Sequence, residues 1–375
     1  MNPFTSQPLR AIAVLALSMV GVGSAAGAAP VPAEPARLTV SGSQLLTPDG
    51  KPIWLRGFNW GRWGTALPED GVANVQRGAN VVRLPFRWYF NGPKADIRQS
   101  GAPGNLSPAG LAKLDETVRW ATEAGLWVVL FAGSDKGAGD SRENNYWNDP
   151  ALRREFFDTW AFIVQRYRNT PRIAAYELLS EPHPKKPVTT AQLRGFYEEL
   201  ITHIRRYDTR TPLMIGPNDH YDIGQLQGVH TRVDDKVIYA TNCYLPTEYC
   251  KPSRRGDFNP NPIVYPSAYR DRRGVTRQLD AAALAAAFQP ALDFRERNKV
   301  PVFIDQIGCV SAAPGVLPYT RDLLALMRKH QMHWAFWTYR VYHAGPDEHG
   351  LWYDDGKGWK LKTELDSVLR AAMAP

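Results

Sequence analysis

The chain has 375 residues, of which 44% are hydrophobic and 22% are charged, a balance that is ordinary for a soluble globular protein. This length suits one large α/β barrel better than one small domain. The net charge is +8, but the Lys and Arg residues are scattered and we find no nucleic-acid-binding motif, so we expect no nucleic-acid partner. The 12 Trp and 16 Tyr residues are compatible with a large core and also with a cleft whose rings stack on sugars.

The N-terminus predicts a signal peptide. Arg10 precedes an apolar run over residues 11–22, and small residues follow at 24–28. The run is shorter than the roughly 20 residues that a membrane-spanning helix needs, and no later segment is long and apolar enough to span. We therefore expect residues 1–28 to be a signal peptide, residues 29–37 to be a flexible leader, and the protein to be secreted or periplasmic.

From residue 38 onward, eight short apolar runs alternate with longer amphipathic segments. Near-continuous apolar character is typical of parallel strands that are buried on both faces. Eight strand–helix units over about 320 residues predict an α/β fold, a single-domain (β/α)₈ TIM barrel over 38–375 that opens with a β-hairpin. The predicted barrel strands are Ile53–Phe58, Val81–Leu84, Trp127–Phe131, Ile173–Leu179, Leu213–Ile215, Val237–Ala240, Val302–Ile304 and Trp334–Trp337.

Capping residues mark where several helices begin. Ser107 and Asp149 each precede a proline, the pattern of an N-cap followed by Pro at the first helical position. Thr189 and Asp280 are predicted as further N-caps, and Gly125 is predicted to end the helix that begins after Ser107. The segment between the fifth and sixth strands matches a helix least well.

In barrels of this kind, catalytic side chains lie at the C-terminal ends of the strands. Glu181 follows the fourth strand and precedes Pro182, and a partly buried carboxyl group there is suited to protonate a glycosidic oxygen. Arg83 lies in the apolar second strand, where an unpaired cation is costly, so we expect it to orient carboxylates at the barrel mouth or to form a structural ion pair. Asn242 and Tyr244 are two residues apart after the sixth strand and are predicted to face the mouth together.

Six motifs follow one another in a fixed order along the predicted barrel. They are Gly50–Trp60, Gly78–Pro85, Ser180–Pro182, Asn242–Tyr244, Val302–Gly308 and Trp337. Together they resemble glycoside hydrolase family 5, the cellulase-like family of retaining glycosidases. The resemblance implies hydrolysis of a β-linked oligo- or polysaccharide with Glu181 as the acid/base. We also expect a monomer and no cofactor or metal. The substrate-binding residues that the resemblance implies are Arg83, Asn242, Tyr244, Trp337, Trp60 and His183.

The departures from the family pattern lie at positions where the family has catalytic residues or their neighbours. Gln306 stands where the family has its nucleophilic Glu, Ser180 replaces an Asn, and Asn242 replaces a His. The third strand ends Phe131–Ser134, where relatives often have an Asp-x-His pattern. A retaining glycosidase needs two carboxyl groups about 5–5.5 Å apart, and an amide is an uncharged, poor nucleophile. With Gln306 at the nucleophile position, the rate of the retaining mechanism is therefore expected to fall by orders of magnitude.

Four explanations of Gln306 stay open. It could be an engineered substitution that traps substrate. The adjacent Asp305 could replace the nucleophile, although strand alternation is expected to point it toward the helix layer unless a bulge intervenes. An inverting mechanism, with carboxyl groups about 6.5–9.5 Å apart, could use Asp135, Asp219 or Glu248. The chain could also be a carbohydrate-binding pseudoenzyme without catalytic activity.

The three cysteines, Cys243, Cys250 and Cys309, allow one disulfide and one free thiol in an oxidising compartment, and the sequence leaves the pairing open. No CxxC motif or His cluster suggests a metal site. The Pro- and Arg-rich segment from Cys250 to about Arg273 is expected to be a specificity loop over the cleft.

Overall fold

The computed structural model describes residues 34–61, 66–87, 107–132, 146, 149–183, 188–251, 262–271, 273–342 and 345–374. The predicted signal peptide and most of the predicted leader lie outside these residues. One structural unit spans Pro35–Pro375. Within the described residues, no helix has the length and apolar character needed to cross a membrane.

The strands form a closed barrel and three small sheets. In chain order they are β1 (Thr39–Ser41), β2 (Gln44–Leu46), β3 (Pro52–Ile53), β4 (Arg56–Asn59), β5 (Val81–Arg87), β6 (Trp127–Ala132), β7 (Ile173–Glu177), β8 (Leu213–Ile215), β9 (Val237–Cys243), β10 (Ser267–Arg270), β11 (Thr276–Leu279), β12 (Val302–Ile307), β13 (His333–Phe336), β14 (Arg340–Tyr342), β15 (Trp352–Asp354) and β16 (Trp359–Leu361).

The barrel contains β4, β5, β6, β7, β8, β9, β12 and β13 in that order, all parallel, and β13 pairs with β4 to close it. This confirms the predicted (β/α)₈ barrel, and each of the eight apolar runs overlaps a barrel strand. The first run, predicted as one strand over 53–58, is divided between β3 and β4. The division arises because Pro52 and Ile53 pair with β2, outside the barrel.

The helices surround the barrel strands. They are α1 (Asp70–Val75), α2 (Pro108–Glu123), α3 (Pro150–Tyr167), α4 (Thr190–Ile204), α5 (Asn218–Tyr221), α6 (Thr247–Cys250), α7 (Ala281–Asn298), α8 (Val316–His330) and α9 (Thr363–Met373). As predicted, Ser107, Asp149, Thr189 and Asp280 accept hydrogen bonds from N–H groups in the first turns of α2, α3, α4 and α7. Between β8 and β9, where the helical pattern is weak, the chain forms only α5 and a 3₁₀ helix over 223–229.

Strand β12 contains a bulge next to the predicted nucleophile position. Its register with β9 shifts between Ile304 and Gln306. A bulge adds one residue to a strand and interrupts the alternation of side chains between the two faces. This is the exception that the sequence analysis left open for Asp305, whose side chain does not point toward the helix layer: its Oδ2 atom lies 2.9 Å from Nη2 of Arg83, and both side chains are fully buried.

The segment after β9 is anchored to the end of β12. Cys250, at the end of α6, forms a disulfide with Cys309, two residues beyond β12, and Cys243 is a buried free thiol. Part of the predicted specificity loop, residues 252–261 and 272, lies outside the described residues. The rest contains β10, which forms an antiparallel hairpin with β11 just beyond the predicted loop, an element that the sequence did not predict.

Candidate active site

Two hydrogen-bonded pairs of side chains meet at the C-terminal ends of β7, β9 and β12. The Nδ2 group of Asn242 donates to Oε1 of Glu181 and also to the carbonyl oxygen of His220, at 2.9 Å. The hydroxyl of Tyr244 donates to Oε1 of Gln306 at 2.8 Å. The alternation along β9 therefore brings Asn242 and Tyr244 to the same place, as the period of two predicts. The barrel mouth therefore contains one carboxylate, Glu181, and one amide, Gln306, and each accepts a hydrogen bond from a residue at the C-terminal end of β9 or directly after it.

The side-chain amide of Gln306 is buried, and among the described residues only its Oε1 atom has a hydrogen-bond partner. Its side chain is 3% exposed, and its Nε2 group has no hydrogen-bond partner among the described residues. A buried donor without an acceptor costs about 1–3 kcal/mol. A ligand that brings an acceptor atom to Nε2 would recover that free energy.

A buried charge cluster supports the mouth from inside the barrel. The Arg83 guanidinium contacts both oxygens of Glu177 at 2.5 Å and Oδ2 of Asp305 at 2.9 Å. It also donates to the hydroxyl of Ser180, which precedes Glu181, at 2.6 Å. Burial opposes the charge of Arg83, but the two carboxyl groups raise its pKa. Burial also raises the pKa of Asp305 well above its usual range, because one guanidinium cannot compensate two buried carboxylates.

A strained segment lies beside Glu181. Asp219, His220 and Tyr221 have φ values of 54°, 60° and 65°, and φ of Glu181 itself is 51°. The left-handed conformation costs a non-glycine residue about 1–2 kcal/mol, and such residues cluster at functional sites. The segment places Nδ1 of His220 4.0 Å from Oε2 of Glu181. The ring of His220 stacks on the half-exposed ring of His183 at a centroid distance of 3.9 Å.

The two tryptophans that the sequence singled out have different surroundings. Trp337 follows β13 and is half-buried against Gly61, where a Cβ atom would lie 2.6 Å from the indole ring. Glycine at this position therefore makes room for the Trp337 ring. Trp60 is 3% exposed and its indole N–H donates to Asn74 at 3.3 Å. Little of its ring is left for a sugar, so its role in binding stays a prediction.

The other carboxylates considered for an inverting mechanism differ in position. Asp135 lies outside the described residues. Asp219 is 66% exposed, and its Oδ1 atom is 4.0 Å from Nδ1 of His183. Glu248, on α6, lies toward the β10–β11 hairpin, where its charge adds to burial in raising the pKa of Tyr269. In the part of the chain that the structure describes, no three His, Cys, Asp or Glu side chains group as metal ligands would.

The sequence did not identify three residues that this arrangement contains. Glu177 could have been found, because it is a charged residue in an apolar strand two strands from Arg83, where a buried partner of opposite sign is required. His220, in the short helix α5, and Lys251, directly after α6, gave no signal, since their contacts join distant parts of the chain. The Nζ atom of Lys251 lies 3.5 Å from the centroid of the Tyr244 ring.

Comparison with known proteins identifies the family. The family model described as cellulase, glycosyl hydrolase family 5, matches residues 46–342. Endoglucanase C of Acetivibrio thermocellus is 23% identical over 307 residues, which cover 76% of this chain and 87% of that protein. A probable glucan 1,3-beta-glucosidase A of Aspergillus fumigatus is 26% identical over 161 residues, 41% of this chain and 37% of that protein. The crystal structure of an endoglucanase from Thermotoga maritima has a TM-score of 0.66 at 20% identity, covering 84% of this chain and 97% of that one. This chain therefore belongs to glycosyl hydrolase family 5.

Proposed function

We propose that this protein hydrolyses the O-glycosidic bonds of a β-linked glycan with Glu181 as general acid/base. The observation that carries the proposal is the Glu181 carboxylate at the barrel mouth, 17% exposed and held by Asn242. A carboxyl group in such a place can give its proton to the leaving glycosidic oxygen. The names of the matched proteins, endoglucanase and glucan 1,3-beta-glucosidase, support a β-glucan as the first substrate to test.

In this proposal Gln306 binds the sugar and does not attack it. Its Nε2 group is a buried donor that a sugar oxygen can satisfy, while Tyr244 fixes its Oε1 atom. Without a carboxylate at this position no covalent glycosyl intermediate forms, so water attacks the anomeric carbon directly and the configuration inverts. Asp219, on the rim beside His183, is the described carboxylate to test as the group that activates this water.

A second candidate function is binding of a glycan without cleavage. The same amide favours it, because a half-satisfied Gln306 can bind a sugar oxygen but cannot form the ester of a retaining mechanism. Sugar binding by the wild type without any hydrolysis would establish this candidate in place of the enzyme.

The experiment compares wild type with Glu181→Gln on a panel of β-glucans and β-mannans, with new reducing ends as the readout. We expect cleavage by wild type and a loss of about 10²–10⁴-fold in Glu181→Gln, the range for a general acid/base. Glu248→Gln is the matched control, since it removes a carboxylate that lies toward the hairpin, and it should retain activity. Asp219→Asn tests the water-activating role, and NMR of the first product gives its anomeric configuration. No cleavage by wild type on any substrate would refute the enzyme.

We also propose that the protein is secreted or periplasmic. Support comes from Arg10, the apolar run over 11–22 and the small residues at 24–28, the pattern of a cleaved signal peptide. N-terminal sequencing of the protein recovered outside the cytoplasm tests this. A mature chain that begins near residue 29 is expected, and a chain retained in the cytoplasm with its first residues intact would contradict the proposal.

A further inference from the structure

A cavity lies outside the barrel mouth, where the N-terminal ends of α8 and α9 meet the end of β13. Its volume is about 420 Å³, within the range of about 300–1,000 Å³ for small-molecule sites. Leu317, Phe336 and Leu365 give it an apolar wall. Thr363 and Glu364 also line it and are exposed, so a ligand can enter from solvent. None of its described lining residues is assigned to glycan hydrolysis, so a ligand here would be a further one.

The amino group of Lys362 lies at the wall of this cavity and is held in place by two acceptors. Lys362 connects β16 to α9. Its Nζ atom donates to the Oγ atom of Ser311 at 2.8 Å and to the carbonyl oxygen of Glu348 at 2.5 Å. A neutral amine has two N–H groups and one lone pair. Both N–H groups of a neutral Lys362 therefore have acceptors in the protein, and the lone pair remains for a ligand.

Burial favours the neutral form of Lys362 over the ammonium form. It lowers the pKa of Lys362 to about 8, and the charges of Asp347 and Glu348 oppose this effect without cancelling it. Glu364 lines the same cavity, and the ring centroid of Tyr353 lies 5.8 Å from Nζ. With this pKa about 10% of the amine is neutral at pH 7, against about 0.04% for a lysine with the ordinary value of about 10.4.

A desolvated lysine at an apolar wall is a nucleophile for carbonyl compounds. Its lone pair adds to the carbonyl carbon, and the carbonyl electron pair moves to the oxygen, which takes up one amine proton. Loss of this oxygen as water, together with the second amine proton, leaves a C=N bond. One carbonyl compound and one amine thus give one imine and one water. The hydroxyl of Ser311 accepts from Nζ and can donate a hydrogen bond to the carbonyl oxygen as the bond forms.

We propose that this cavity binds a small aldehyde or ketone with an apolar body and that Lys362 forms a reversible imine with it. The apolar wall contacts the body of the ligand, while Lys362 and Ser311 contact its carbonyl group. The reaction requires none of the residues at the barrel mouth, so it is independent of the proposed hydrolysis of glycans. Lys360, two residues earlier on β16, offers the contrast, because it is exposed and its bond to Asp355 raises its pKa.

The test treats the full chain at pH 7 with benzaldehyde and sodium cyanoborohydride, which reduces the imine to a stable amine. Mass spectrometry of the digested protein gives the labelling rate of each lysine as a function of aldehyde concentration. Lys360 is the internal control in the same digest. Benzyl alcohol is the competitor, since it has the same ring and no carbonyl carbon to attack. The variants are Lys362→Met and, as its matched control, Lys360→Met.

We expect Lys362 to be labelled at least about tenfold faster than Lys360 at pH 7. The larger neutral fraction favours Lys362 about 200-fold, and the weaker nucleophilicity of a less basic amine offsets about tenfold of this if its slope is the 0.4–0.5 known for thiols. The rate at Lys362 should saturate with aldehyde concentration, and benzyl alcohol should lower it without affecting Lys360. The preference should shrink toward pH 10, where ordinary lysines also become neutral.

Three results would overturn the proposal. Equal labelling of Lys362 and Lys360 at pH 7 would show that the amine is not activated. A rate at Lys362 that rises linearly with aldehyde concentration, or that benzyl alcohol does not lower, would show that the aldehyde does not bind in the cavity. Lys362→Met should lose the saturable label and Lys360→Met should keep it, so a saturable label that persists in Lys362→Met would be the third.

Discussion

Gln306→Glu tests whether the barrel still has the geometry of a retaining glycosidase. The new carboxylate is isosteric with the amide and accepts the same hydrogen bond from Tyr244, now 2.8 Å. The substitution also removes the unpaired Nε2 donor, which costs about 1–3 kcal/mol in the present site. Against this, a charge is placed in a side chain that is only 3% exposed. Because these two effects on stability have opposite signs, we expect the free energy of unfolding to change little. The main change is expected in the rate and the stereochemistry of the reaction.

The expected increase in the rate of Gln306→Glu is estimated from the contribution of one well-placed charged group to catalysis. A single electrostatic element aimed at the transition state is worth about 10²–10³-fold in kcat, or roughly 2.7–4 kcal/mol. We therefore expect Gln306→Glu to raise kcat on aryl β-glucosides by at least about 100-fold. The new carboxylate can also attack the anomeric carbon, so the product should change from inverted to retained configuration.

The assay combines steady-state kinetics, NMR of the first product and mass spectrometry after incubation with a 2-fluoro glycoside, which traps a covalent intermediate. Gln165→Glu is the control, since it adds the same charge on the exposed face of α3. An unchanged rate together with an unchanged product configuration and no trapped adduct would refute the reasoning, because Gln306 would then not occupy a nucleophile position.

Two further predictions concern stability. Burial raises the pKa of Asp305, so ionisation of this group destabilises the fold as the pH rises above about 4, the ordinary value for an unfolded aspartate. The free energy of unfolding of Asp305→Asn, measured in urea, should therefore increase relative to wild type between pH 4 and pH 8, and a difference that is constant with pH would contradict the raised pKa. The disulfide joins residues 59 apart, and Cys309→Ser should lower the free energy of unfolding by about 2–4 kcal/mol. The Cys243→Ala variant is the control. Because Cys243 is the free thiol, a reducing agent should lower the free energy of unfolding of this variant by as much as that of wild type.

The fold could be predicted because its signals are local. A barrel strand buried on both faces needs a run of apolar residues, and the eight runs are bounded by turn residues and helix caps such as Ser107 and Asp149. Arg83 and Glu181 also stand out locally, one as a charge inside an apolar strand and the other as a carboxylate before a proline. The hairpin β10–β11 gave no such signal, since its exposed strands have almost no apolar face.

The site was predicted less completely because its contacts join distant residues. The face on which Asp305 lies could not be decided, since it depends on a bulge that changes the alternation and leaves no mark in the local sequence. His220 comes to Glu181 through three consecutive left-handed residues, a conformation that Asp219, His220 and Tyr221 do not favour by themselves. The disulfide partner of Cys250 could not be read from spacing, because the bonded residue Cys309 lies on another strand end.

The role of Glu181 as proton donor is tested most directly by the dependence of the rate on the leaving group. Wild type and Glu181→Gln are compared on a natural β-glucan, whose leaving alcohol needs a proton, and on a dinitrophenyl β-glucoside, whose leaving group does not. We predict a loss of about 10²–10⁴-fold on the glucan and less than about tenfold on the dinitrophenyl glucoside. Equal losses on both substrates, or no loss on either, would contradict the assignment of Glu181 as the general acid.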